Sequence, residues 1–82
     1  MDTIGILSDY LARELNHGRP LDESASLLER GVIDSLGLVK LVGFLEQRFA
    51  IALGDEELEP SHFETVTTIA RLVERKRLAA RG

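Results

Sequence analysis

Apolar residues in this chain recur every three or four positions in three separate stretches, and nowhere do they alternate with polar ones over the length of a strand. That periodicity restricts the chain to helices packed on helices, and the fold class it implies is all-α. The first stretch spans Thr3 to Leu15, with Ile4, Leu7, Leu11 and Leu15 on one stripe and Asp2 or Thr3 available as cap. Asn16-His17-Gly18, followed by Pro20, supplies its stop. The second spans Ser35 to Phe49. On a helical wheel Leu38, Leu41, Val42, Leu45 and Phe49 share one side, and Phe44 lies on the flank. The third begins after Thr65 as cap, with Val66, Ile69, Ala70, Leu72 and Val73 as its buried set. It is expected to end near Leu78, with Ala79 to Gly82 frayed.

The connections carry information of their own. Arg19 to Ile33 has no clear period, yet Leu21, Leu27, Leu28, Val32 and Ile33 are too apolar to be left in water. A loop this long in so small a chain is expected to lie across the helices and plug the core. Asp55 to Leu58 suggests a short acidic turn, and Pro60-Ser61-His62-Phe63 a brief helical turn with Phe63 inward. The architecture expected is a small four-helix bundle: three principal helices, a short third element before the last of them, and a long loop between helices 1 and 2. Residues 1–82 are expected to form a single domain.

Composition excludes several kinds of chemistry. There is no cysteine, hence no disulfide framework, no thiolate metal site and no side-chain thiol nucleophile. His17 and His62 are the only histidines and have no ligand spacing around them, so both read as loop residues. The acids Asp55, Glu56, Glu57 and Glu59 lack the spacing and internal glycine of a calcium loop. No metal site is expected. Residues 1–70 hold 13 acids and 5 bases, a balance of −8, whereas residues 71–82 hold five bases and one acid, a balance of +4. An acidic body argues against nucleic acid as a partner, since that binding rests on neutralising phosphates. No segment approaches the roughly 20 apolar residues of a membrane span, and no signal peptide is evident. The expectation is a cytoplasmic monomer with no membrane or nucleic-acid partner.

One residue stands apart from this scaffold logic. Ser35 sits where a loop becomes a helix, and serine is a favoured N-cap. Asp34 is an equally good cap, however, and a helix needs one. With Asp34 in that role, Ser35 falls in the first turn with its hydroxyl outward, and Leu38 three residues later forms no capping box with it. Ser35 also lacks a Gly-x-Ser-x-Gly elbow, so a hydrolytic nucleophile is not indicated. The first turn of a helix exposes unpaired N–H groups and a partial positive charge, a setting compatible with a phosphodiester. Beside it Leu36 and Val39 occupy the side of the helix opposite the core, with Lys40, Gly43 and Gln47. An outward hydroxyl beside an exposed apolar pair suits a covalently modified docking site.

With Asp34-Ser35-Leu36 after Gly31-Val32-Ile33, then Leu41-Val42, Leu45-Glu46 and Phe49, and then Phe63-Glu64-Thr65-Val66 with Ile69-Ala70, the sequence resembles the acyl carrier protein family over essentially its whole length. The resemblance implies a carrier rather than an enzyme. It implies a 4′-phosphopantetheine arm, transferred from coenzyme A to Ser35 by a phosphopantetheinyl transferase, whose thiol holds intermediates as thioesters. Asp34 would orient the arm, and Leu36, Val39, Lys40 and Gly43 would dock partners. These would be an acyl- or aminoacyl-loading enzyme and downstream synthase or transferase enzymes. Fatty acid synthesis carriers usually have a distinctly acidic second helix, whereas the outer face here offers Gly37, Lys40, Gly43, Gln47 and Arg48, with Glu46 at its edge. That departure favours a stand-alone carrier of a specialised pathway, in polyketide, nonribosomal peptide or aminoacyl transfer chemistry. A fatty acid carrier and a non-covalent helical adaptor are the alternatives. The start at Met1 suggests a discrete protein, and Phe44 and Phe49 suggest a short or polar cargo. Gly54, where many relatives have proline, suggests a looser connection to the short third element.

Overall fold

The helices form where their caps and stripes place them. A computed structural model describes residues 2–19 and 21–81, with the side chains of all of these except Ala80 and Arg81. Three α-helices follow in order: α1 (Thr3–Leu15), α2 (Ser35–Phe49) and α3 (Val66–Arg81). Two 3-10 turns, Asp55–Glu57 and Pro60–Phe63, lie between the second and third. Among the described residues there is no strand, so the all-α expectation holds. Pro20 and Met1 lie outside the described residues, as does Gly82.

Each helix start has a chemical cause. The Asp2 carboxylate accepts the Gly5 N–H at 2.7 Å and caps α1, while Thr3 is buried and donates from its hydroxyl to Glu74 of α3. The Asp34 carboxylate accepts the Gly37 N–H at 2.7 Å and caps α2. Thr65 caps α3 reciprocally: its Oγ1 accepts the Thr68 N–H at 3.1 Å, and its own N–H donates to Thr68 Oγ1 at 3.0 Å. Each such cap contributes about 1 kcal/mol. α2 ends on Ala50 in the left-handed region, at φ 55°, with its N–H on the Glu46 carbonyl. α3 continues to Arg81 rather than stopping near Leu78, because Ala79 and Ala80 are good helix formers and no glycine comes before Gly82.

The core joins all three helices and the long loop. Leu7 and Leu11 of α1, Leu41, Leu45 and Phe49 of α2, and Val66, Ile69, Ala70, Leu72 and Val73 of α3 are buried together with Phe63 and Ile51. Leu38 and Val42, expected in the core, are half-buried at its margin, as are Ile4 and Leu15. The loop does plug the bundle through Leu27, Val32 and Ile33, all buried. Hydrogen bonds pin it against the start of α3: the Leu27 N–H donates to the Glu64 carbonyl at 2.7 Å, and the Thr67 hydroxyl to the Glu23 carbonyl at 3.3 Å. Leu28 departs from expectation. It is 40% exposed because the chain turns back at Leu28–Gly31, where Gly31 takes φ +72°.

A second departure concerns the connection after α2. Gly54 does not loosen it. The Gly54 N–H, which a proline would lack, donates to Glu57 Oε1 at 2.9 Å, and the Leu53 N–H donates to Glu46 Oε2 at 3.0 Å. Lys76 of α3 then pairs with Glu57 at 3.1 Å and ties the turn to the last helix. The Gly54 N–H and then the Lys76 ammonium hold the Glu57 carboxyl below the usual carboxylate range.

Aromatic contacts lock α1 to α2. Tyr10 stacks on Phe44 with ring centroids 3.8 Å apart and planes 14° apart, and Phe44 meets Phe49 edge-on at 6.4 Å. The guanidinium groups of Arg48 and Arg77 lie 5.7 and 5.8 Å from the Phe49 ring centroid. Phe44 thus covers the flank of the core as its wheel position suggested.

Candidate functional site

The site begins with the division of labour between Asp34 and Ser35. Asp34 takes an extended backbone, φ −109° and ψ −171°, which aims its carboxylate along the helix axis at the Gly37 N–H. Ser35 is the first residue of α2 and is exposed. Among the described residues no hydrogen bond engages its hydroxyl. The hydroxyl therefore stands at the positive end of α2 without a structural task.

Gly37 corrects one expectation about this surface. It was placed on the outer face, but it is buried, and a Cβ there would meet Asp34 Oδ1 at 3.1 Å and Leu15 Cδ2 at 3.5 Å. The missing side chain leaves room for the Asp34 carboxylate on the Gly37 N–H, while Leu15 of α1 would meet a Cβ only at ordinary contact distance.

The rest of the outer face is as the wheel places it. Leu36 is 65% and Val39 69% exposed, and Lys40, Gly43, Gln47 and Arg48 are exposed as well. The Lys40 carbonyl accepts from the Tyr10 hydroxyl at 3.3 Å, so this part of α2 is braced from behind. Glu46 lies at the edge of that face, half-buried, and its Oε2 accepts the Leu53 N–H at 3.0 Å from the connection after α2. Two large apolar side chains held in water on a rigid helix, one turn from a free hydroxyl, form a surface suited to protein contact.

Sequence reasoning did not find the cleft beside this turn. A hollow of about 250 Å³ lies between the end of α1 and the start of α2. Glu14, Leu15 and His17 line it from α1 and its exit, Gly31, Val32 and Asp34 from the loop, and Leu36, Gly37 and Lys40 from α2. Two stretches separated in the chain, residues 14–17 and 31–40, meet there, so no local pattern marks it. His17 adopts φ +54°. His62 is elsewhere, with its Nδ1 2.8 Å from the Glu57 carbonyl, so the two histidines are not brought together. Among the described residues no group of histidine and carboxylate side chains is arranged to hold a metal, and no helix is long and apolar enough to cross a membrane.

Comparisons with known proteins bear on the same region. The family model described as "Phosphopantetheine attachment site" matches residues 5–75. A relative described as "Probable acyl carrier protein PigG", from Serratia sp. (strain ATCC 39006), is 36% identical over 71 residues, spanning 84% of this chain and 82% of the relative. Among solved structures, a chain in one described as "Crystal structure of FAD-dependent dehydrogenase" superposes with a TM-score of 0.74 at 34% identity. The match covers 80% of this chain and 96% of that one.

Proposed function

The chain belongs to the acyl carrier protein family, whose members bear a covalently attached 4′-phosphopantetheine, and from that premise we propose that Ser35 is the attachment residue of a stand-alone carrier. The observation that carries this reading is the capping of α2 by Asp34, which leaves the adjacent Ser35 hydroxyl exposed and uncommitted in the first turn. The residues present fit the group. The N–H groups of the first turn favour an anionic phosphodiester, and no side chain covers the serine. When attached, the arm supplies a thiol, which a chain without cysteine otherwise lacks. Asp34 fixes the backbone from which the arm departs.

The family consists of carriers rather than catalysts, and in this reading residues 1–82 act as one carrier domain with no catalytic step of its own. It tethers a cargo as a thioester, which raises the cargo's effective concentration at each enzyme that docks. Leu36, Val39, Lys40 and Gly43 form the surface those enzymes read. They are a phosphopantetheinyl transferase, an acyl- or aminoacyl-loading enzyme, and downstream synthases or transferases. Lys40, Gln47 and Arg48 are exposed on the outer face of α2, with Glu46 half-buried at its edge, so that face lacks a cluster of acids. That supports a specialised biosynthetic pathway over fatty acid synthesis. The solved chain from a structure described as an FAD-dependent dehydrogenase favours a flavin-dependent dehydrogenase among the downstream enzymes. A cytoplasmic monomer completes the reading.

The test is intact mass after incubation with coenzyme A and a promiscuous phosphopantetheinyl transferase. The native chain gains one phosphopantetheinyl group, and Ser35→Ala gains none. No gain on the native chain, or an undiminished gain on Ser35→Ala, overturns the assignment.

A further inference from the structure

Three glycines stand inside helices, Gly5 in α1 and Gly37 and Gly43 in α2. A glycine there weakens the helix relative to alanine, so each calls for a cause. Two have one within the chain. A Cβ on Gly5 would meet Oδ1 of the capping Asp2 at 2.7 Å, and one on Gly37 would meet Oδ1 of the capping Asp34 at 3.1 Å. Gly43 has none. It lies in the middle of α2 and is exposed, and beyond its chain neighbours and the local helix backbone a Cβ there would meet nothing within 4 Å. The fold does not ask for the missing side chain, so its use lies in what approaches α2 from outside. Gly43 shares its side of the helix with Val39 and Lys40 one turn before it, Leu36 two turns before and Gln47 one turn after, all exposed. These side chains surround a notch floored by backbone, apolar toward Leu36 and Val39 and cationic at Lys40. Lys40 borders the cleft that Glu14 and Asp34 also line, yet among the described residues it is in no ion pair. The exposed charges within α2 are Lys40 and Arg48, and its one acid, Glu46, is half-buried.

Taking Ser35 as the attachment residue, we propose that Gly43 is a docking notch for the phosphopantetheinyl transferase, which seats an apolar side chain against Val39 there and sets a carboxylate against Lys40. The transferase is the occupant because its reacting atom is the Ser35 hydroxyl. It has to hold α2 itself, whereas later enzymes reach their atom through the arm. Both contacts fit one footprint. Gly43 lies about 12 Å along the axis from Ser35 and about 80° round it, so a protein seated in the notch leaves the hydroxyl uncovered. The apolar plug follows from Leu36 and Val39, whose exposed surface gains from burial only against other apolar surface. The carboxylate follows from complementarity, since α2 exposes cations and no acid. A side chain at position 43 would occupy the notch and hold the enzyme off by steric clash.

The experiment measures, for the full-length chain and its variants, the KM of the transferase for the carrier at saturating coenzyme A, together with the denaturation midpoint. Gly43→Ala raises the midpoint at unchanged slope, as alanine does inside a helix. Its KM nevertheless rises about threefold, and that of Gly43→Leu about tenfold or more. Stability and docking thus move in opposite directions, which a glycine serving the fold would not produce. Lys40→Glu raises KM about fivefold or more, and the rise shrinks in high salt. A native KM for Gly43→Leu, or a lowered midpoint for Gly43→Ala, overturns the notch. An unchanged KM for Lys40→Glu overturns the acidic occupant. Each of these results leaves Ser35 as the attachment residue, whereas failure of the native chain to be converted at all overturns the attachment and the notch together. Should Gly43→Leu not fold, the KM and midpoint of Gly43→Ala decide alone.

Discussion

Ala50 ends α2 in a conformation that suits glycine. At φ 55° and ψ 48° its Cβ is crowded by the following carbonyl, at a cost of roughly 1–2 kcal/mol for a residue with a side chain. Ala50 is exposed, so its methyl group gains little from packing in return. Ala50→Gly relieves the crowding, although glycine adds freedom to the unfolded chain that offsets about 0.4–1 kcal/mol of the gain. The net expectation is a stabilisation of about 0.5–1 kcal/mol. It is measured as a rise in the denaturation midpoint at unchanged slope. An unchanged or lower midpoint would show that the terminal residue is not strained. At this scale the sequence was most legible where one side chain satisfies one backbone group. Asp34 and Ser35 are equally good caps on paper, and the bond from the Gly37 N–H to Asp34 makes Ser35 the bystander. The buried position of Gly37 was not legible, because it depends on where Leu15 comes to rest.

Among the elements, α2 carries both packing and display, and the two are separable. Leu41, Leu45 and Phe49 hold the bundle, whereas Leu36 and Val39 on the other side touch little of it. Val39→Asp is therefore expected to change folding stability by no more than about 0.5 kcal/mol, as for an ordinary surface substitution. It should lower the rate at which a phosphopantetheinyl transferase converts the chain by about tenfold or more, the effect of losing a central interface residue. Equal conversion rates for the two chains would remove Val39 from the docking surface. Helix boundaries were readable where caps mark them, at Asp2, Asp34 and Thr65, and failed at the end of α3, where two alanines extend the helix unmarked. Leu28 was misplaced for a related reason. In a segment without period, burial depends on the path of the chain, and a turn at Gly31 decides it.

Over the whole molecule, the acidic body and the basic last helix are joined by Lys76 and Glu57. The folded state lowers the pKa of Glu57, through the Gly54 N–H first and Lys76 second. A depressed carboxyl stabilises the fold above its unfolded value of about 4.3, and that contribution is lost as pH falls through the folded value. Glu57→Gln should therefore melt below the native chain at about pH 7, and the gap should close toward about pH 3. Thermal melts of both chains across that range decide it, and a gap independent of pH would assign the pair no role. The sign of charge along the chain was plain in the sequence. The cleft was not, since Glu14, Val32 and Lys40 become neighbours only once the long loop has folded back.

Tyr10 is the only tyrosine in a chain without tryptophan, and it lies against Phe44 with its hydroxyl on the carbonyl of Lys40. Burial, with Glu14 nearby, raises the pKa of that phenol. The protein's near-ultraviolet absorption and emission thus come chiefly from one ring at the seam behind the proposed docking helix. An enzyme seated on α2 addresses a molecule with a built-in optical probe, free of any competing indole and in need of no dye.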